Sequence, residues 1–299
     1  MTKVADVAVV IAARDATAWL AETLAAVHAQ SLAPAEVVVV DDGSRDATAA
    51  VAEAAGARVL RQANRGPGAA RNAGIAVTRA PWLAFCDADD VWLPGKLQAQ
   101  LEALARVPAP ACACDAFVYD GAPAARRKNA ARRVPARIGW RDLLRDNPLI
   151  ASSVVARRDA VAAAGGFDED PALIATEDYD LWLRLARAAP LLYLDQPLLR
   201  YRVHPGSLTS NQRFRVGVDR ILAKVLAAVP GDAEVAALVA ARRAGVRLDL
   251  AYDAAGRGDL AETAAWTREA RNCGPVPGIR VLRLVARALW HKFRPGPDS

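Results

Sequence analysis

Glu36-Val37-Val38-Val39-Val40-Asp41-Asp42-Gly43-Ser44 sets four β-branched residues in a row and stops them on an acidic turn that contains glycine. The apolar run reads as a strand, and the Ala-rich segment after the turn reads as a helix. The same unit recurs on both sides. Val7–Ala12 is a short apolar run that reads as a buried strand. Trp19, Leu20, Leu24 and Val27 follow at helical spacing, with Asp15 placed to cap that helix. Ala57–Leu60 is a third strand, leading into a helix over Gly66–Thr78. Trp82–Cys86 is a fourth, stopping on Asp87-Ala88-Asp89-Asp90, and Pro94 suits the first turn of a helix running to about Arg106. Alternation of this kind predicts a parallel sheet with helices on both faces. Ligands in such sheets sit beyond the carboxyl ends of the strands, and both acidic turns fall there.

The alternation breaks at residues 121–137, where Gly121, Pro123, Arg126, Arg127, Lys128, Arg132, Arg133, Pro135 and Arg137 read as an exposed basic loop. It resumes near Ser152–Ala156. Gly165-Gly166-Phe167-Asp168 reads as a turn, Glu177-Asp178 opens an amphipathic helix through Leu181, Trp182 and Leu185, and Leu191–Leu194 and Leu199–Val203 read as strands. Past His204-Pro205-Gly206 the pattern is helical, with breaks near Pro230, Gly256–Gly258 and Gly274–Gly278. The expected organisation is therefore a domain over 1–210, carrying a basic insert at 121–145, and a helical region over 211–299.

The 299 residues are 53% hydrophobic and 24% charged, which excludes disorder and a disulfide scaffold. No apolar run approaches the ~18 residues of a membrane span, and Asp6, Arg14 and Asp15 leave no room for the apolar core of a signal peptide. Cys86, Cys112, Cys114 and Cys273 form no paired metal pattern and read as reduced thiols of a cytoplasmic protein. The formal charge of +6 is unevenly placed: residues 200–299 carry 17 basic groups against 9 acidic, and residues 121–145 carry 8 against 1. No nucleic-acid reading motif accompanies these arginines, and 34 Arg against 5 Lys fits a GC-rich coding bias. Residues 278–293 combine apolar positions with Arg280, Arg283 and Arg287, which suits either peripheral contact with an anionic membrane or packing on the protein.

Several clusters can carry chemistry, each with a plainer alternative. Clustered carboxylates at Asp87 and Asp89 repel one another unless a cation neutralises them. Mg²⁺ or Mn²⁺ favours such oxygens and shares its shell with phosphate; the alternative is a solvated turn capping the next helix. Asp41-Asp42 can accept hydrogen bonds from a nucleobase or ribose, or simply cap a helix. Gly66-Pro67-Gly68 opens like a dinucleotide fingerprint, but Arg71 stands where the third Gly belongs, so an NAD(P) site is rejected. Arg71 reads as a nucleotide contact or a surface ion pair. Glu177-Asp178 can supply a general base to a hydroxyl or complement a helix dipole. His204, at a strand end, suits a metal or a diphosphate.

Taken together the ordered motifs resemble the family 2 glycosyltransferases. The similarity runs through Val7–Asp15, Val37–Ser44, Gly68–Gly74, Phe85–Pro94, Gly165–Asp168, Glu177–Leu183 and Tyr201–His204. It implies a GT-A fold: an α/β, Rossmann-like, mixed but mostly parallel sheet flanked by helices, here with a helical C-terminal extension. It further implies an inverting, metal-dependent transfer of sugar from a nucleotide-diphospho-sugar, UDP-linked, to a glycan or lipid-linked acceptor in cell-envelope polysaccharide biosynthesis, at the inner face of the plasma membrane. Ala12, Arg14, Asp41, Asp42, Asn64, Arg71 and Asp87 would hold the nucleotide. Asp89, with Asp87 and His204, would hold Mg²⁺ or Mn²⁺. Asp178 would be the general base with Glu177 beside it, and Trp182 and Arg202 would meet the acceptor. Ala12 and Arg14 depart from the Pro and Tyr frequent in the family's first motif. The competing readings are a non-catalytic nucleotide-sugar-binding protein and a nucleotidyltransferase. The latter typically needs a Gly-rich first loop that Ala12-Ala13-Arg14-Asp15 does not supply.

Overall fold

The computed structural model describes residues 4–119, 126–204 and 211–293. In chain order the strands are β1 (Val4–Ala13), β2 (Ala33–Asp42), β3 (Arg58–Gln62), β4 (Trp82–Asp87), β5 (Val91–Trp92), β6 (Ala111–Tyr119), β7 (Arg126–Arg127), β8 (Arg137–Ile138), β9 (Val155–Arg157) and β10 (Leu191–Arg202). The helices are α1 (Leu20–His28), α2 (Thr48–Ala54), α3 (Pro67–Val77), α4 (Lys96–Arg106), α5 (Trp140–Arg145), α6 (Arg158–Ala163), α7 (Glu177–Ala188), α8 (Asn211–Ala228), α9 (Ala233–Gly256), α10 (Leu260–Cys273) and α11 (Gly278–Phe293). Two compact units result, one of residues 1–143 and 147–208, the other of 144–146 and 209–299.

The first unit is built on one sheet of order β3-β2-β1-β4-β9-β6-β10-β5. β3, β2, β1 and β4 run parallel, as do β6 and β10, while β9 is antiparallel to both β4 and β6 and so joins the two parallel groups into one mixed sheet. Every residue of Val7–Ile11 is buried, as a strand covered on both faces requires. α3 lies close against the sheet because Gly74 has no side chain: a Cβ there would come within 2.5 Å of Val10 Cγ1.

Several local expectations change. Asp15 does not cap α1, which starts at Leu20; it sits at φ 48°, and its carboxylate accepts the Arg45 N–H at 2.7 Å. Pro94 lies outside α4, whose N-cap is Gly95. The two expected strands after residue 190 are one, β10, whose pairing with β6 shifts register around Pro197, a residue that cannot donate to the ladder. The basic insert is only partly an exposed loop. Arg126–Arg127 pairs with β6, Arg127 Nε donates to the fully buried Asp115 at 2.8 Å, and buried Asn129 Nδ2 donates to the same carboxylate at 3.0 Å. Gly121 and Pro123 of that insert, and Pro205-Gly206, lie outside the described residues. Cys86, Cys112 and Cys114 are buried free thiols and Cys273 is half-buried.

The second unit contains α8, α9, α10 and α11. Asp232 and Asp259 cap α9 and α10 by accepting the N–H groups of Val235 and Glu262. Ala244, Leu248, Ala251 and Ala255 of α9 form a core with Ala270 of α10 and Leu284 and Ala288 of α11. Among the described residues no helix is long and apolar enough to cross a membrane.

Candidate functional site

Sheet register brings the first strand ends together. Ala13 pairs with Asp41 and Ala12 with Asp87, so three neighbouring parallel strands present Ala12, Asp41 and Asp87 side by side at their carboxyl edge. Ala12 is half-exposed between buried Ile11 and Ala13. Arg14 is exposed and its Nε lies 3.8 Å from Asp15. Asp41 is buried and accepts the Ser44 N–H at 2.9 Å. Asn64 is exposed on the following loop. Asp42 requires a correction. It is 4% exposed, and its carboxylate accepts Gln62 Nε2, Arg65 N and Gly66 N, each at 2.8 Å. Three internal donors commit it to holding the loop that starts α3.

Arg71 is neither a surface ion pair nor an open nucleotide contact. It is 4% exposed, with Nη1 donating to Glu177 at 2.5 Å and Nη2 to Asp87 at 2.6 Å, and its guanidinium lies 5.3 Å from the Phe167 ring centre. Burial opposes its charge, but Asp87, Glu177 and Asp178 together hold it above its ordinary pKa, so it stays cationic. Glu177 is correspondingly not a second base: it is buried and committed to Arg71. Its other oxygen is buried without a partner, and the residue lines a shallow pocket with Gly66, Gly68 and Asp168. The adjacent Asn72 fixes the Gly165–Asp168 turn, donating to Phe167 O and accepting the Phe167 N–H. That role was not read from the sequence.

On the other side of Asp87 lies Asp89, whose Oδ2 meets His204 Nε2 at 2.9 Å. Burial and then the neighbouring Asp87 push the Asp89 carboxyl up from its ordinary range, and the His204 contact partly offsets this. Among the described residues no group of three or more His, Cys, Asp or Glu stands ready to hold a metal. Asp90, unnoticed in the sequence as a separate actor, is fully buried and accepts the Arg202 N–H at 2.9 Å, tying β10 to the acidic turn. Arg202 is also corrected. It is 8% exposed, donates to Asp89 O at 2.8 Å and to Glu22, and is sandwiched near the rings of Trp19 and Tyr119. A guanidinium so occupied is a staple for the Asp89 loop.

Asp178 stands half-buried in the first turn of α7. Burial raises its carboxyl to about 7, with Glu177 and Asp87 adding to the rise and Arg71 opposing it. Trp182, one turn further, is corrected outright: it is 0% exposed and packs against Phe85 and Phe167, 5.9 and 6.2 Å between ring centres. Four residues apart, Asp178 and Trp182 lie on the same side of α7; Asp178 stays partly exposed in the first turn, and Trp182, one turn on, is fully buried.

With this geometry in view, residues 8–163, just over half the chain, match the family model described as glycosyl transferase family 2. The chain belongs to that family. Among curated relatives, the succinoglycan biosynthesis proteins ExoU and ExoO of Rhizobium meliloti are 45% identical over 98 residues and 40% over 104. These matches cover 31% and 33% of this family 2 chain and only 28% and 30% of those relatives. An uncharacterised glycosyltransferase of Rickettsia prowazekii is 25% identical over 220 residues, 68% of this chain and 66% of the relative. Among solved structures, S. aureus TarS 1-349 in complex with UDP-GlcNAc superposes with a TM-score of 0.69 at 15% identity, covering 96% of this chain and 89% of that one. TarS 1-349 alone gives 0.67 at 16%, covering 96% and 88%. At such identity the likeness speaks for the fold, which is the GT-A fold of this family.

Proposed function

We propose that this family 2 chain is an inverting glycosyltransferase that moves a sugar from a UDP-linked donor to a hydroxyl of a glycan or lipid-linked acceptor. The observation that carries the reading is Asp178: a half-buried carboxylate with its pKa near 7, beside Asp87 and next to the carboxyl edge. A general base works best when its pKa lies near the operating pH. Asp178 takes the acceptor proton as the hydroxyl oxygen bonds to the anomeric carbon. The anomeric bond to the diphosphate breaks on the opposite face, so configuration inverts without a covalent intermediate. Arg71 holds Asp87 and Glu177 in place, and Ala12, Asp41 and Asp87 frame the nucleotide. The complex of TarS with UDP-GlcNAc supports a UDP donor, and the names of ExoU and ExoO support a polysaccharide acceptor.

The residues present fit a divalent cation. Asp89 and His204 offer an oxygen and a nitrogen within 2.9 Å of each other, and the carboxyl of Asp89 is disfavoured as an anion by burial and by Asp87, a strain that a cation relieves. Asp89 and His204 would hold Mg²⁺ or Mn²⁺ while diphosphate oxygens complete the shell. When bound it supplies Lewis-acid stabilisation of the charge that gathers on the leaving diphosphate. Incubation with UDP-sugars and Mn²⁺ tests the whole reading: slow donor hydrolysis or transfer is expected, falling by about 10³-fold or more in Asp178→Asn and abolished by EDTA. Release of pyrophosphate from a nucleoside triphosphate, or unchanged turnover by Asp178→Asn, would overturn it.

A further inference from the structure

α11 is apolar on two opposite sides. Leu284 and Ala288 face inward and are 5% and 0% exposed, packed on α9 and α10. At 100° per residue, Ile279, Leu282, Val285, Leu289 and Trp290 share the opposite arc, and all five are exposed, Leu282 and Trp290 by about two thirds. A core accounts for one apolar stripe on a helix. The second stripe, with five exposed large side chains on one helix, has no counterpart elsewhere among the described residues.

Charge says what covers it. α11 contains Arg280, Arg283, Arg287 and Lys292 and no acidic residue. On the helical wheel Arg283 borders one edge of the exposed arc, with Arg287 and Arg280 beyond it, and Lys292 borders the other. Arg280, Arg283 and Lys292 are exposed. Basic groups flanking a Leu- and Trp-bearing face are the arrangement that beds a helix in a headgroup layer, where apolar side chains enter the acyl boundary and cations meet lipid phosphates. A second copy of this chain would set the same cations against each other. We infer that α11 docks the protein, lying in the plane of the interface, on the surface of an anionic phospholipid bilayer.

Sedimentation of the full chain with phosphatidylglycerol–phosphatidylcholine vesicles tests this. Binding is expected at low salt, weakening as salt rises, and little binding to phosphatidylcholine alone. Leu282→Ser with Trp290→Ser removes only exposed apolar surface; it should keep the thermal transition and lower partition by about tenfold or more. Arg280→Glu with Arg283→Glu should weaken binding and flatten its salt dependence. Absence of wild-type binding at low salt, or partition unchanged in the serine variant, would overturn the inference. So would a dimer in sedimentation equilibrium that the serine variant dissolves while vesicles are ignored.

Discussion

Two carboxylates of one helix turn, Glu177 and Asp178, have opposite fates because one faces Arg71 and the other does not. Glu177 is neutralised in a buried ion pair, and Asp178 is left with burial and two like charges that Arg71 only partly offsets. In the free enzyme kcat/KM should therefore rise through pH 7 as Asp178 loses its proton, an acid limb that a pH–rate profile reads and that an ordinary carboxylate would place near pH 4. Arg71→Met strands the carboxylates of Asp87 and Glu177 and is expected to cost about 3–5 kcal/mol of stability, measured by urea unfolding. A loss near zero would mean that solvent already compensates these charges. The motif containing Arg71 was legible in the sequence; its burial between two acidic partners was not, because Asp87 and Glu177 are 90 residues apart in the chain. Trp182 and Arg202 misled for the same reason. Their residue types suit ligand contact, and only three-dimensional packing shows that both are buried.

At the scale of elements, strand ends and helix starts do the positioning. β1, β2 and β4 were readable from their apolar runs, and the register that aligns Ala12, Asp41 and Asp87 follows from how those runs pair. Close docking of α3 depends on Gly74. Gly74→Ala should cost about 1–3 kcal/mol by urea or thermal unfolding, because Val10 is locked in a sheet that cannot yield. A neutral effect would show that α3 can move off the sheet. β7 and β9 were poorly legible. Each is two or three residues long, and each is held by partners distant in sequence: Arg127 by Asp115, and Val155 by Ala84 and Cys112. Strands that short carry no period of their own.

For the molecule as a whole, buried acids set the pH response. Burial raises the Asp178 carboxyl to about 7 and that of Asp90 well above its ordinary value of 3.8, so between those values the folded chain holds more protons than the unfolded one. Stability then falls as pH rises through this window. The metal-free protein should melt about 2–4 °C lower at pH 8 than at pH 5.5, and Asp178→Asn should narrow that difference; a Tm that rises across the window would contradict the burial of these groups. Composition alone placed the basic excess in residues 121–145 and 200–299. What it left open was whether those arginines face solvent, and the structure divides them: Arg127 is drawn onto buried Asp115, while Arg280 and Arg283 stay exposed on α11. By itself the sequence determined the strand–helix order, the family and the positions of the acidic turns, since apolar period and turn chemistry are local properties. Only the tertiary structure decided which charged and aromatic side chains reach the site and which are consumed in holding it, because burial and pairing are made by residues that meet across the fold.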